Sequence, residues 1–519
     1  MSPVDQINPL RYRRQFVLAE DELSGLPGWQ KIQFGGKYYI HTHPDLDHCH
    51  FVDDQGVFEM VLLGYMLDPD HIEDSNQQIV DRMGASTGGD FDQLVQETYR
   101  KGGRWLLFYR KEDIFRVFAD PAGLRSLFYI ADPGSGFMAA SQPNLITDYQ
   151  PFEISESARA GFLETSAYTE QIEYMLPSGF SLYDEIRHLV PNHYLDLSSR
   201  QQVRFFPVVE KPQFSLEEGV SIITDVFQNL MLAAAKRFPL ALAVTAGYDS
   251  RLMMSATRGI EDVKYYTLQY YNLHEASTDI VVPHKVLEQV GRVHQVFDCT
   301  QPMPPAFAEI YHANVHYAHA AWGNIAYGLS QHFPADHIAV KGNCGEIGRR
   351  YYYKFDYPSY DGVELLTRLL HYEDTPFGQQ VLADWYQEIN PLVEKNGYEL
   401  LDFLYWEFRQ GSWQAMSQLE WDLVQEVFVP FNCRAVLHTM LGMDAVYRDA
   451  ITSKVQRAVA QNLWPEMLNI PTNPPTLIER TRNLKKRILT HSLYRSLRDG
   501  VKRMLKIESF HKSYHQDKH

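Results

Sequence analysis

Apolar and polar positions alternate in short runs over the first third of the chain. Residues 37–41, 57–63, 105–109, 114–118 and 127–130 each read as a half-buried strand, with turn residues between them. One helical stretch at about 91–100 interrupts the series. Residues 1–30 show no such alternation and read as an irregular polar arm. Many short strands with few helices predict an α+β domain of antiparallel sheets over residues 31–206.

The pattern changes near the middle. A Pro-bearing linker at 207–213 leads into Ser215 and Glu218, spaced as a capping box, and a helix that runs to about Arg237. Five apolar residues from Leu240 to Val244 then read as a buried strand. The small-residue turn Thr245, Ala246, Gly247 follows, and a helix opens at Asp249-Ser250. A strand at 264–270, a helix at 278–290 and a short strand at 294–297 complete a βαβαβ order. That order predicts an α/β domain with a doubly wound parallel sheet over 215–478, its ligands at the carboxyl ends of the strands. A basic helical tail is expected at 479–519.

A buried strand that turns tightly into a helix makes an anion site. The first N–H groups of the helix are unpaired, and small residues let the backbone approach a phosphate. Thr245 and Ser250 add hydroxyl donors. A second strand-into-turn at 338–349 carries Lys341, Gly342, Asn343 and Glu346. Asp249 and Glu346 thus follow two strands of one sheet, as metal ligands or as simple helix caps.

The spacing Thr245-Ala-Gly-Tyr-Asp-Ser250 resembles the Ser-Gly-Gly-x-Asp-Ser pyrophosphate loop of ATP pyrophosphatases. The 338–349 turn resembles the Gly-x-Gly-Ala-Asp-Glu turn of the asparagine synthetase group, with Glu346 at the Asp and Ile347 at the Glu. Residues 120–129, with 64–68, 103–107 and 139–143, resemble the class II glutamine amidotransferase domain that precedes the synthetase domain in that group. The resemblance covers roughly residues 55–475.

It implies an Ntn-hydrolase-like sandwich followed by an adenine nucleotide alpha-hydrolase-like domain. It also implies ATP and Mg²⁺. Thr245, Ala246, Gly247, Tyr248, Asp249, Ser250 and Gly342 would surround the phosphates, and the backbone of Leu268 and Gln269 would hold adenine. Asp249 and Glu346 would bind the metal, which prefers oxygen and takes one or two carboxylates. Lys341 is one candidate for the family's late lysine, and the basic run at 480–487 is another. Asp279 and His294 match an acidic residue and a strand that follow the phosphate loop. The implied chemistry is attack of a substrate carboxylate on the α-phosphorus, loss of pyrophosphate, and capture of the acyl-adenylate by ammonia or an amine.

Several positions depart from the family. Asn343 stands where the β-lactam-forming branch has the tyrosine of its base dyad. Cys433 replaces the Asp of a Pro-Phe-Leu-Asp stretch that helps wall the substrate pocket. The glutaminase nucleophile is an N-terminal cysteine at the start of the first strand; here Ser2 and Pro3 stand about 30 residues before the first expected strand. The first domain is therefore expected to keep the fold without amidase activity. Ala246, Ile347 and Cys433 each count toward a second reading, a catalytically inactive regulatory or scaffold protein.

Composition narrows the remainder. A formal charge of −17 argues against a general nucleic-acid binder. The last forty residues are locally basic, as a solvated helix face or as a site for an acidic partner or a membrane surface. Four scattered cysteines, no signal-like start and no long apolar run point to a soluble cytoplasmic protein. The cluster from His41 to His50 reads as a polar turn rather than a zinc site. Glu407, Arg409, Trp413, Trp421 and Asp422 suggest a cationic or amine-bearing substrate. The oligomeric state stays open, a homodimer among the options.

Overall fold

The computed structural model describes residues 9–170, 175–315, 317–355 and 360–472. Ser2, Pro3 and the basic tail at 479–519 lie outside them. Twelve strands come first: β1 (Phe16–Ala19), β2 (Gln30–Phe34), β3 (Tyr38–Thr42), β4 (His48–Val52), β5 (Phe58–Leu67) and β6 (Gly102–Lys111). They continue with β7 (Ile114–Ala119), β8 (Phe128–Ile130), β9 (Met138–Ala140), β10 (Ile186–His188), β11 (His193–Asp196) and β12 (Gln201–Arg204). These strands form two antiparallel sheets, ordered β10-β8-β9-β1-β3-β2 and β12-β11-β7-β6-β5-β4. Phe16, Phe34, Val61, Leu106 and Phe108 pack between the sheets. The helix Asn76–Thr87 covers the outer face of the second sheet through Ile79, Val80 and Met83.

Of the arm expected at 1–30, the described part, residues 9–30, is not irregular throughout. β1 sits inside the first sheet, paired with β3 on one side and β9 on the other, and all four of its residues are buried. The hydrophobic gain of Phe16, Val17 and Leu18 outweighs the polar surroundings that hide this strand in the sequence. Arg14 and Gln15 precede it, buried and hydrogen-bonded to Asp422 O and Asn314 O.

The second half is built on five parallel strands, β13 (Leu240–Ala243), β14 (Lys264–Gln269), β15 (His294–Asp298), β16 (Ile338–Val340) and β17 (Glu426–Phe428). Their order is β15-β14-β13-β16-β17, so the winding reverses between β13 and β16. Crevices open at such reversals, at the carboxyl ends of the strands. The helix Leu216–Arg237 leads into β13, and its capping box at Ser215 and Glu218 is formed with both reciprocal bonds. Among the described residues, no helix is long and apolar enough to cross a membrane.

The halves meet along β17 through buried ion pairs. Arg104 of β6 reaches Asp422 (Nη2–Oδ2 2.9 Å) and Glu426 (3.1 Å), and Arg125 reaches Glu426 at 2.8 Å. Tyr65 donates to Val427 O at 2.6 Å. Asn432 donates to Asp120 at 2.7 Å and accepts from the Ala122 N–H at 2.8 Å. The stretch around Asn432 and Cys433 therefore faces the first half instead of walling a pocket. Cys433 packs against the Arg100 and Tyr99 carbonyls, and burial pushes its thiol up to about 11.

Candidate functional site

Two turns meet where the winding reverses. The first follows β13: Thr245 is exposed, Ala246 is buried, and the helix Tyr248–Ser255 opens with Gly247 at its cap and no side chain capping it. The helix starts one residue earlier than the sequence suggests, and Tyr248 is half-buried at its head. Three loop amides are already engaged. Thr245 N–H donates to Ser250 Oγ at 2.7 Å, Ala246 N–H to Asp279 Oδ1 at 2.9 Å, and Gly247 N–H to Thr245 Oγ1 at 3.4 Å. Asp279 belongs to the first turn of the helix Thr278–Gln289 and so ties that helix to the loop. No side chain caps the Tyr248 helix at Gly247, and the leading N–H groups of a helix are donors suited to an anion.

The second turn runs from Lys341 to Glu346 after β16. It presses directly on Asp249. A Cβ built at Gly342 meets Asp249 Cβ at 3.1 Å, and one at Gly345 meets Asp249 Oδ1 at 2.9 Å and the Phe431 ring at 3.0 Å. Absent side chains at these two glycines let the turns touch. Cys344 takes a left-handed φ of 68° to make the bend.

The carboxylates converge on one guanidinium. Arg349 Nη2 lies 3.0 Å from Asp249 Oδ2 and 3.1 Å from Glu346 Oε1. Neither carboxylate caps a helix through its side chain. The other oxygens, Asp249 Oδ1 and Glu346 Oε2, are buried without a hydrogen-bond partner, as is Arg349 Nε. Burial raises the Asp249 carboxyl to about 7 against the opposing pull of Arg349, and the Glu346 charge adds to the rise. Buried carboxylate oxygens without a hydrogen-bond partner are the type of ligand a hard divalent cation prefers.

Leu268 and Gln269 overhang the crevice. β13 pairs with β14 only as far as Tyr266, whereas β14 continues along β15 to Gln269. Leu268 and Gln269 therefore project past β13 beside the Thr245 turn, and the Gln269 carbonyl accepts from Cys299 N–H at 2.9 Å. Thr267 Oγ1 donates to Val244 O at 2.7 Å and lies 2.9 Å from His294 Nε2, fixing this end of the sheet.

Lys341 is not aimed at the carboxylate pair. Its buried amine lies 3.2 Å from Gln418 Oε1 and 4.2 Å from the Trp421 ring centroid. Burial lowers it to about 7, Arg104 lowers it further, and Asp422 opposes. Asn343 Nδ2 donates to Gln414 Oε1 at 3.1 Å, and Cys344 Sγ lies 3.2 Å from Gln410 Oε1. Glutamines 410, 414 and 418 sit one helical turn apart and clasp Cys344, Asn343 and Lys341 in succession.

The acidic groups expected to attract an amine are occupied. Glu407 is fully buried and takes Arg204, Asn192 and the Trp385 indole N–H. Asp422 is paired with Arg104. Arg349 was missed from the sequence; its one signal is a position three residues after Glu346, the spacing of an i,i+3 ion pair.

Other candidate clusters are filled. His41 Nε2 accepts from Leu23 N–H, His43 contacts Pro9 O, and His50 pairs with Glu59, so these histidines serve local structure, with β4 beginning at His48. Asp68, His71 and Asp74 lie close enough to share an ion, but Lys101 (3.0 Å) and Arg82 (2.7 Å) already neutralise Asp68. A cavity of about 170 Å³ between the halves touches Tyr65, Phe238, Ile338 and Glu426. Ile338 and Glu426 head their strands, which puts the cavity at the opposite end of the sheet from the phosphate turn.

No family model matches the chain, and no curated protein matches it. Among solved structures, a glutamine phosphoribosylpyrophosphate amidotransferase from B. subtilis, complexed with ADP and GMP, is 10% identical with a TM-score of 0.23; 56% of this chain and 86% of that one are covered. A structure described as the allosteric regulatory enzyme of purine biosynthesis is 11% identical with a TM-score of 0.24, covering 59% and 74%.

Proposed function

We propose that the chain is an ATP-dependent, AMP-forming carbon–nitrogen ligase that activates a substrate carboxylate and passes it to ammonia or an amine, without a glutaminase of its own. The observation that carries this reading is the junction of the two turns: Asp249 and Glu346 on one guanidinium, beside the open head of the Tyr248 helix. The helix N–H groups, Thr245 and Ser250 would grip the phosphates. Asp249 and Glu346 would hold Mg²⁺, which when bound neutralises phosphate charge as pyrophosphate leaves. Leu268 and Gln269 would offer backbone to adenine at the overhang. The chain's own part is to fix the carboxylate in line with the α-phosphorus and to stabilise developing charge with preset donors.

Substrate-dependent ATP–pyrophosphate exchange tests the reading. The wild-type chain should exchange label in the presence of its acid, and Asp249→Ala should abolish exchange while leaving the circular dichroism spectrum unchanged. A second reading, an inactive scaffold that keeps the fold, draws on the same junction: Arg349 already satisfies one oxygen of each carboxylate, and Asp279 occupies the Ala246 amide. A scaffold would show no exchange with any acid.

A further inference from the structure

Arg349 is placed to change partners. Its backbone is fixed on both sides. Arg350 holds Glu399 through Nε–Oε2 at 3.1 Å and Nη2–Oε1 at 2.8 Å, and a Cβ at Gly348 would meet Met440 Cβ at 2.5 Å. Rotation of the Arg349 side chain is therefore the movement this turn allows most readily. The guanidinium contacts both acids through Nη2, while its Nε, Asp249 Oδ1 and Glu346 Oε2 are buried without a hydrogen-bond partner. All three charged groups thus have unused bonding capacity. The phenols of Tyr351 and Tyr405 also face Arg349, and the Gln456 amide approaches Asp249; none of these is a second cation. Asp249 is in addition the second residue of the helix Tyr248–Ser255, so the guanidinium lies against the first turn of that helix.

We propose that Arg349 is a resident counter-ion which a divalent cation displaces from Asp249 and Glu346, and that the displaced guanidinium becomes a ligand of the polyphosphate at the helix head. The inference rests on the ligase reading for which anion enters, and adds the residue that ties the anion to the metal. The physical case lies in the cost of each half-step. A divalent cation arriving alone leaves a mostly buried guanidinium unpaired. A polyphosphate arriving alone must draw that guanidinium from two carboxylates, which then face each other without a counter-ion. When both arrive, every charge is paired: the carboxylates hold the metal, and the planar fork of Arg349 matches phosphate oxygens. The two ligands therefore bind with positive coupling, carried by one side chain.

Calorimetric titration of the full chain tests this with two probes given separately, Mn²⁺ alone and inorganic pyrophosphate in the presence of a chelator. The titrations are run at pH 8, above the value of about 7 at which the Asp249 carboxyl ionises. Arg349→Met should move the probes in opposite directions. Mn²⁺ should bind about tenfold more tightly and pyrophosphate about tenfold more weakly, the scale of one charge-assisted hydrogen bond. Glu346→Gln, of nearly the same shape, should do the mirror image. An arginine that only holds the turns together would lower affinity for both probes when removed. Parallel shifts, or no shift, in Arg349→Met overturn the proposal. If that variant does not fold, Glu346→Gln decides, and pyrophosphate bound no more tightly than by the wild type overturns it. The outcome is separable from the ligase reading. Opposite shifts with no ATP–pyrophosphate exchange for any acid keep the counter-ion role and remove the ligase. Exchange supported by an acid, together with parallel shifts, does the reverse.

Discussion

Arg349 holds Asp249 and Glu346 together, its Nη2 atom 3.0 Å from one carboxylate and 3.1 Å from the other. The three groups come from two turns that are about a hundred residues apart in sequence, and the guanidinium is the only cation bridging both acids among the described residues. Removing it leaves two mostly buried carboxylates facing each other, the costly case for ion pairs. Arg349→Met is expected to lose about 3 kcal/mol of stability at pH 8. The loss should shrink toward pH 4, where Asp249 takes up a proton. Urea unfolding at the two pH values measures both.

Asp249 itself makes stability depend on pH in a defined direction. Its carboxyl titrates near 7 in the folded chain against an ordinary value of 3.8, so between those values the folded state holds a proton that the unfolded state has lost. Wild-type stability therefore falls as pH rises through this window and levels off above 7. Asp249→Asn removes the titration. Its stability relative to wild type should climb from pH 4 to pH 8 by on the order of 2–4 kcal/mol. Thermal denaturation across that range shows it, and a flat difference would mean the carboxyl is not buried as described.

Gly345 sets how close the turns come. A methyl there meets Asp249 Oδ1 at 2.9 Å and Phe431 at 3.0 Å, and Phe431 cannot retreat because its ring packs on Phe227 with centroids 4.8 Å apart. The Asp249 side chain must move instead. Gly345→Ala is expected to cost about 1–2 kcal/mol, typical of overpacking, and to reduce ATP–pyrophosphate exchange far more than stability. Measuring both on one preparation separates a displaced carboxylate from a general loosening.

What the sequence revealed followed from burial. β13, β14 and the helix Leu216–Arg237 were legible because parallel strands covered on both faces read as apolar runs and because Ser215 and Glu218 mark the helix start. β1 was not legible. Four apolar residues between Arg14 and Glu20 become a strand only when β3 and β9 arrive to pair with it. β4 was hidden for a related reason: His48 and His50 alternate with Cys49 and Phe51, so its polar face masks the strand. The helix Asn76–Thr87 carries only Ile79, Val80 and Met83 as large buried apolar residues, too few to show a helical period, although Ser75 and Gln78 form a capping box. Asp249 and Glu346 were legible as a pair through their turns, whereas Arg349 emerges only from the fold. The acidic look of Glu407 and Asp422 misled because their partners, Arg204 and Arg104, lie in the other half of the chain.

Lys341 gives the opposite pH signature to Asp249. Its amine titrates near 7 when folded and near 10.5 otherwise, because burial and the Arg104 charge disfavour the ammonium. From pH 7 to 10.5 the unfolded chain holds the extra proton, so this residue's contribution to stability rises with pH and is lost as pH falls through 7. Lys341→Met keeps an unbranched apolar stem one atom shorter and abolishes the titration. It also leaves Gln418 Oε1 without its donor, a cost of about 1 kcal/mol that does not vary with pH. The substituted chain should therefore be more stable than wild type at pH 6 and lose that advantage by pH 10. Chemical denaturation at the two pH values decides it. A difference that stays constant would mean that the amine keeps its proton in the fold, charged over Trp421.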